Sequence, residues 1–396
     1  MATVAPLAPA GPAAMRPPHP VAELRRLGHA DLAAGAAAWD RLAARAGEPN
    51  PFHESWYLGP ALAALDPGGA AEVMVLEAGG EWLGLLPLAR SARYYGRPLP
   101  VLGNWQHGNA FLGAPLVAKG HEHDFWRALL AHADRAAGAA LFLHLADLPL
   151  GGPLAEALAQ VCAQERRPLG LVHRAERALL ASPLAPRAYL EAALSGKKRK
   201  ELRRQQARLA EQGRVEWLRR RDGEGLTEWT QAFLALERAG WKGRAGSALA
   251  CAPQTARLFA QGLAGAAARG RLERLTLTLD ETPIAMLATF LTPPGAFAYK
   301  TAFDERFARY SPGVLLQCEN LALLDDPALD WCDSCAAADH PMIDHLWRER
   351  RAIGRFSIGI GGPLRRAAFS LLLRAELGRR SKADTSQGRR PDGETA

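Results

Sequence analysis

The chain has 396 residues, 48% hydrophobic and 23% charged, and a net charge of +8. That length accommodates two ordinary domains, and no run approaches the roughly 18 uninterrupted apolar residues of a membrane-spanning helix. Its five cysteines, Cys162, Cys251, Cys318, Cys332 and Cys335, are few, odd in number and scattered. This excludes a secreted disulfide scaffold and makes the cytoplasm the expected compartment. The charge is local: residues 195–221 hold eleven Lys/Arg against three Glu, and the rest of the chain balances at 38 of each sign.

In chain order, residues 1–20 are Ala/Pro-rich without a signal-peptide pattern and are expected to be a disordered lead. Residues 32–65 have helical spacing in two pieces, broken around "GEPNPF". "VMVLEAGGEWLGLLPL" puts two apolar runs around Gly79-Gly80, a hairpin signal. A turn-rich stretch, a helix over "HDFWRALLAHADRAAG", a buried strand "AALFLHLADL", a helix "PLAEALAQVCAQERR" and a strand or two in "LGLVHRAERALLA" follow.

The second half repeats this order. A strand "VEWLRRRD", two amphipathic helices, a hairpin "LTLTLDETPIAMLATF" and a strand "AFAYKTAF" come first. A helix "PGVLLQCENLALL", a strand "ALDWCDSCAA", a helix "PMIDHLWRERRAI" and a closing helix ending at Gly378 complete it. The pattern predicts an α/β (α+β) chain of two similar domains, each a mixed sheet flanked by helices, at 21–180 and 181–378. Residues 379–396 are expected to be a disordered tail.

The basic segment reads as a helix capped by Ser195 and stopped by Gly213. Lys197, Lys198, Arg199, Arg203 and Arg204 crowd about two turns, and the run extends to Arg208. Charge this dense is either a solvated face or the seat of an anionic partner.

The stretch "YKTAFDERFARYSPGV" is the main candidate for chemistry. As a regular strand it puts Phe297, Tyr299, Thr301 and Phe303 on one face and Ala298, Lys300, Ala302 and Asp304 on the other. Ser311 is a preferred N-cap and Pro312 suits the first helical position, so Gly313 and Val314 open a helix with bare N–H groups, an anion site. Arg309 just before it can add a charge-assisted contact to a phosphate. Cys332, Cys335, His340 and His345 have C-x2-C-x4-H-x4-H spacing. However, an offset of three on a strand points the two cysteines apart, so no metal site is expected.

These segments resemble a known family. "PFHESWYLGPALAAL", "SGKKRKELRRQQARLAEQGRVEW", "FLALERAGWKGRAGSAL", "PIAMLATF", "AYKTAFDERFARYSPGVLL" and "DSCAAADHPMIDHLWRERRAI" look like GNAT-type N-acetyltransferases related to the CelD/BcsL proteins of cellulose biosynthesis, kin of the Fem-type aminoacyl transferases. The resemblance spans about residues 50–355 and implies two GNAT-like domains in tandem. It also implies acyl transfer from acetyl-CoA to an amine, such as a sugar or polysaccharide precursor, with no metal. The pyrophosphate loop of that fold corresponds to Arg309, Tyr310, Ser311, Pro312, Gly313 and Val314, with one glycine replaced by Pro312, which lacks an N–H. Asp304 is then the candidate base, Tyr310 or His345 the proton donor to the thiolate, and Lys300 a contact for an anionic acceptor. A Fem-type aminoacyl transfer and a non-catalytic GNAT-fold protein binding an anionic polymer are the alternatives.

Overall fold

A computed structural model describes residues 21–338, 340 and 342–387, with side chains as far as 378. The expected lead at 1–20 and residues 388–396 lie outside this range.

Thirteen strands form one sheet: β1 (Glu23–Leu27), β2 (Glu72–Ala78), β3 (Glu81–Ser91), β4 (Val101–Asn104), β5 (Leu116–Val117), β6 (Phe142–Pro149), β7 (Leu169–Leu180), β8 (Val215–Arg220), β9 (Leu272–Leu279), β10 (Thr282–Thr292), β11 (Gly295–Phe303), β12 (Trp331–Asp333) and β13 (Glu349–Gly359). The helices are α1 (His29–Ala34), α2 (Ala36–Arg45), α3 (Ser55–Leu65), α4 (Glu122–Arg135), α5 (Pro153–Gln164), α6 (Pro186–Ala193), α7 (Gly196–Ala210), α8 (Leu226–Ala239), α9 (Trp241–Arg244), α10 (Pro253–Ala267), α11 (Pro312–Glu319) and α12 (Pro363–Gln387).

Both hairpins expected from the sequence form. Gly79 and Gly80 turn β2 into β3 with positive φ, and Asp280 and Glu281 do the same between β9 and β10. Two residues at φ > 0 match the twist of the flanking strands. At the second turn the Asp280 carboxylate accepts from the Arg214 amide at 2.8 Å.

The strand order is β1-β2-β3-β4-β6-β13-β7-β12-β11-β10-β9-β8, with β5 beside β3. Read from either end it is the same series of roles. β4 pairs parallel with β6 as β11 does with β12, and β13 and β7 meet antiparallel at the centre. Each half therefore has the other half's last long strand inside its own sheet: β13 lies against β6, and β7 against β12. The repeat seen in the sequence is thus a pseudo-two-fold, and the sheet does not divide where the chain order does, near residue 180.

One core is continuous across the halves. Phe52 and Tyr57 share a buried cluster with Phe233, Phe259, Phe290, Phe297 and Tyr299. Helix α3 packs closely on α10; a Cβ at Gly265 would meet the Trp56 carbonyl at 2.9 Å.

Two of the expected helices differ markedly from the structure. "PMIDHLWRERRAI" is not a helix: it passes through turns into β13, whose pairing with both β6 and β7 overrides local helical spacing. The closing helix does not stop at Gly378 but runs to Gln387. A glycine inside a helix costs only about 1 kcal/mol, and good helix formers follow it.

Candidate active site

β11 stays beside β12 for three residues only, Gly295 to Phe297 against Trp331 to Asp333, and then runs on to Phe303 while β12 ends. The two strands splay apart there. On its other side β11 carries a bulge. Thr289 of β10 pairs with Ala298 and Ala288 pairs with Lys300, so Tyr299 is the extra residue.

The bulge corrects the face assigned to Lys300 from alternation. With one residue inserted, Lys300 joins Tyr299 on the side of α8 and α10 instead of the opposite side. Its ammonium lies 4.9 Å from the centre of the Phe111 ring and 5.7 Å from that of Tyr299. Phe111 belongs to the first half, so both halves build the wall around this amine.

Burial lowers the Lys300 pKa from 10.5 to about 8, and the positive charge of Lys242 adds to the shift. His107 is lowered to about 4 by burial and by the Lys300 charge, so its imidazole is neutral at physiological pH. His107 stacks on Tyr57, whose hydroxyl donates to the Asn109 carbonyl at 2.5 Å and lies 3.0 Å from the Tyr299 hydroxyl. Burial pushes both phenols above their ordinary range, so they stay neutral.

Lys242 is held differently. Its ammonium donates to Glu237 at 2.9 Å and to the Thr301 carbonyl at 3.4 Å, and the same carboxylate accepts from the Leu249 amide at 2.8 Å. Glu237 thus pins the loop after α8. The turn needs glycine at 243, where a Cβ would sit 1.8 Å from the Arg238 carbonyl.

A buried ion cluster braces the site from the seam. Arg177 of β7 and Arg351 of β13 bind the Asp333 carboxylate at 2.7 and 2.9 Å, and Arg351 also pairs with Glu48 of the first half. Arg177 donates to the Phe111 carbonyl at 2.7 Å, so the cluster fixes the ring that faces Lys300. Beside it a cleft of about 290 Å³ opens between the halves, lined by Phe111, Asp147, His173, Cys335 and Arg355 among others.

The remaining sequence candidates fall elsewhere. Asp304 follows β11 and lines a separate cavity of about 440 Å³ under α8. Its carboxylate binds Arg306 at 2.6 Å and accepts from the Arg306 amide at 2.9 Å, which holds it below the usual carboxylate range. Arg309 is exposed, stacked 4.7 Å from the centre of the buried Tyr310 ring. Ser311 adopts a left-handed conformation before α11 and makes no side-chain cap. Pro312 and Gly313 are buried; Met342 covers Gly313 so closely that a Cβ would lie 2.7 Å from its sulfur. Val314 packs partly on the core of that face, and His345 is exposed. Residues 309–314 therefore stay together at the α11 corner, on the face away from Lys300.

Cys332 and Cys335 are both buried, with thiols raised by burial. Among the described residues no three His, Cys, Asp or Glu side chains converge as a metal-binding group. On α7, Ser195 caps the helix through the Lys198 amide. Lys198 pairs with Glu201, and Arg199 bonds the Glu191 and Leu194 carbonyls. Lys197, Lys200, Arg203, Arg204 and Arg208 point to solvent.

Sequence reasoning missed Lys242, Glu237, His107, Phe111 and Tyr57. One signal was legible: "AGWKGR" sets a lone lysine between glycines directly after an amphipathic helix. The aromatic and histidine contributions come from the other half of the chain and carry no local signal.

Comparison with known proteins bears on the fold. Residues 196–340 match the family model described as an acetyltransferase (GNAT) domain. FemX has the same fold at a TM-score of 0.52 and 10% identity, covering 86% of this chain and 98% of its own. A conserved protein of unknown function from Bacteroides thetaiotaomicron VPI-5482 gives 0.53 and 11%, covering 82% of this chain and 97% of its own. No curated protein matches the chain. Residues 196–340 thus resemble a GNAT domain, and the first half repeats the strand plan of the second.

Proposed function

We propose that the chain transfers an acyl group from a thioester, acyl-CoA, to a primary amine at the splay of the second half, with Lys300 carrying the proton. The observation that supports this most is a buried lysine of pKa about 8 beside the bulge where β11 leaves β12. A base with a pKa near the working pH gives the most effective proton transfer. Neutral Lys300 takes a proton from the acceptor amine. The amine nitrogen attacks the thioester carbonyl, and a backbone N–H freed near the bulge steadies the oxyanion. As the C–N bond forms and the C–S bond breaks, Lys300 returns a proton to the leaving thiolate.

Lys242, held by Glu237 at 2.9 Å, contacts an anionic group of a substrate. Arg309 and the start of α11 meet the donor phosphates once Met342 moves aside. Asp304 is a weaker base than Lys300 because Arg306 holds it ionised. The CelD/BcsL resemblance favours an amine on a sugar or polysaccharide precursor and a cytoplasmic setting, and the solvent-facing cations of α7 suit an anionic polymer. A Fem-type aminoacyl transfer is the second reading, favoured by the shared fold with FemX.

The test is thiol release from acetyl-CoA with an amino sugar as acceptor. Amine-dependent release that falls about 100-fold in Lys300→Met supports the proposal. No release, with no thermal protection at saturating acetyl-CoA, refutes it; protection by aminoacyl-tRNA alone selects the second reading.

A further inference from the structure

Helix α12 touches the body along one side only. Phe369 and Leu373 are buried against Tyr94, Val101, Phe142 and Val172, and Leu373 fits so closely that a Cβ at Gly170 would lie 2.4 Å from its Cδ1. With 3.6 residues per turn, Leu364, Ala368, Leu371, Leu372 and Ala375 fall on the opposite side, a stripe about 16 Å long. All five are exposed, Leu364 at 89% and Leu371 at 67%. Of the ten large hydrophobic side chains exposed among the described residues, four lie on this helix. Singly exposed leucines need no explanation, but a contiguous stripe does.

The charge of the helix narrows what covers that stripe. Residues 363–387 hold six Lys/Arg and two acids. Arg365 bonds the Gly138 and Ala140 carbonyls, Arg366 pairs with Asp134, and Glu376 accepts from the Tyr94 hydroxyl, so these belong to the anchoring side. Arg374, Arg379, Arg380 and Lys382 outnumber the one other acid, Asp384. The basic residues other than Arg365 and Arg366 lie from Arg374 onward, so a parallel second copy would bring like charges together. An anionic surface is complementary to it.

We propose that α12 is an interfacial helix whose outer leucines enter the headgroup region of an anionic lipid bilayer, to which the net positive charge of its sequence is drawn. The inference is independent of the acyl-transfer reading. The test floats the full chain with phosphatidylcholine vesicles, with and without phosphatidylglycerol. Binding to the anionic vesicles alone is expected, weakened by salt, and about tenfold weaker in Leu371→Glu. Because Leu371 is exposed, the unfolding temperature of that variant stays unchanged, which separates lost binding from lost folding. Absence of binding to anionic vesicles, or equal binding by Leu371→Glu, overturns the proposal. So does a concentration-dependent dimer that Leu371→Glu abolishes without vesicle binding, which would assign the stripe to a second copy.

Discussion

The two splays of the sheet have the same strand plan and opposite contents. In the first half β4 leaves β6 after Leu102 and Gly103, and the gap is filled. The Asn104 amide bridges it, donating to the Gly113 and Ala146 carbonyls at 3.0 and 2.9 Å and accepting from the Ala146 amide at 2.8 Å. Gly113 is packed so tightly that a Cβ would lie 2.1 Å from the Ala146 carbonyl. In the second half the gap holds Lys300 and is walled by Phe111 and His107, which come from the loop that fills the first. One repeat has become a plug and lends its side chains to the other. A repeated fold therefore does not imply a repeated site.

The largest expected effect is on the second-half splay. Lys300→Met lowers kcat by about 100-fold or more in a thiol-release assay, yet leaves stability unchanged or raised, because it removes a poorly compensated buried charge. A parallel fall in activity and unfolding temperature would make Lys300 structural. Next is the brace between the halves. Asp333→Ala strands Arg177 and Arg351 and costs about 3–5 kcal/mol in urea unfolding; a loss below 1 kcal/mol would mean that the halves are held by apolar packing alone.

The glycines give a matched pair. Gly113→Ala forces backbone against backbone and costs about 1–3 kcal/mol. Gly313→Ala meets the flexible Met342 side chain and stays within about 1 kcal/mol. Equal costs would mean that the Met342 side chain yields no more readily than the backbone around Gly113. A further effect, on the order of 2 kcal/mol between pH 8 and 10, is in the pH dependence of stability. Lys300 titrates at about 8 in the folded chain instead of 10.5, so between those values the unfolded chain binds the extra proton and stability rises with pH. Chemical denaturation from pH 8 to 10 should show this rise in the parent and a flatter profile in Lys300→Met.

The strand plan was legible because it is written in local pattern. The Gly79-Gly80 turn and the apolar runs of β2, β3, β9 and β10 identify the hairpins that set the repeat. Alternation put Lys300 on the wrong face, since a bulge at Tyr299 arises from how β10 and β11 pair and leaves no trace in alternation. Phe111 and His107 were illegible for a different reason: their meaning depends on contacts nearly 200 residues away in the chain, created by the exchange of β7 and β13.

The central claim is that both halves build one acyl-donor site and that the first splay is closed. Calorimetric titration of the full chain with acetyl-CoA tests it directly. One equivalent bound per chain is the expected result. Two equivalents would show that the first splay also opens to a donor, and no binding at saturating acetyl-CoA would contradict the account.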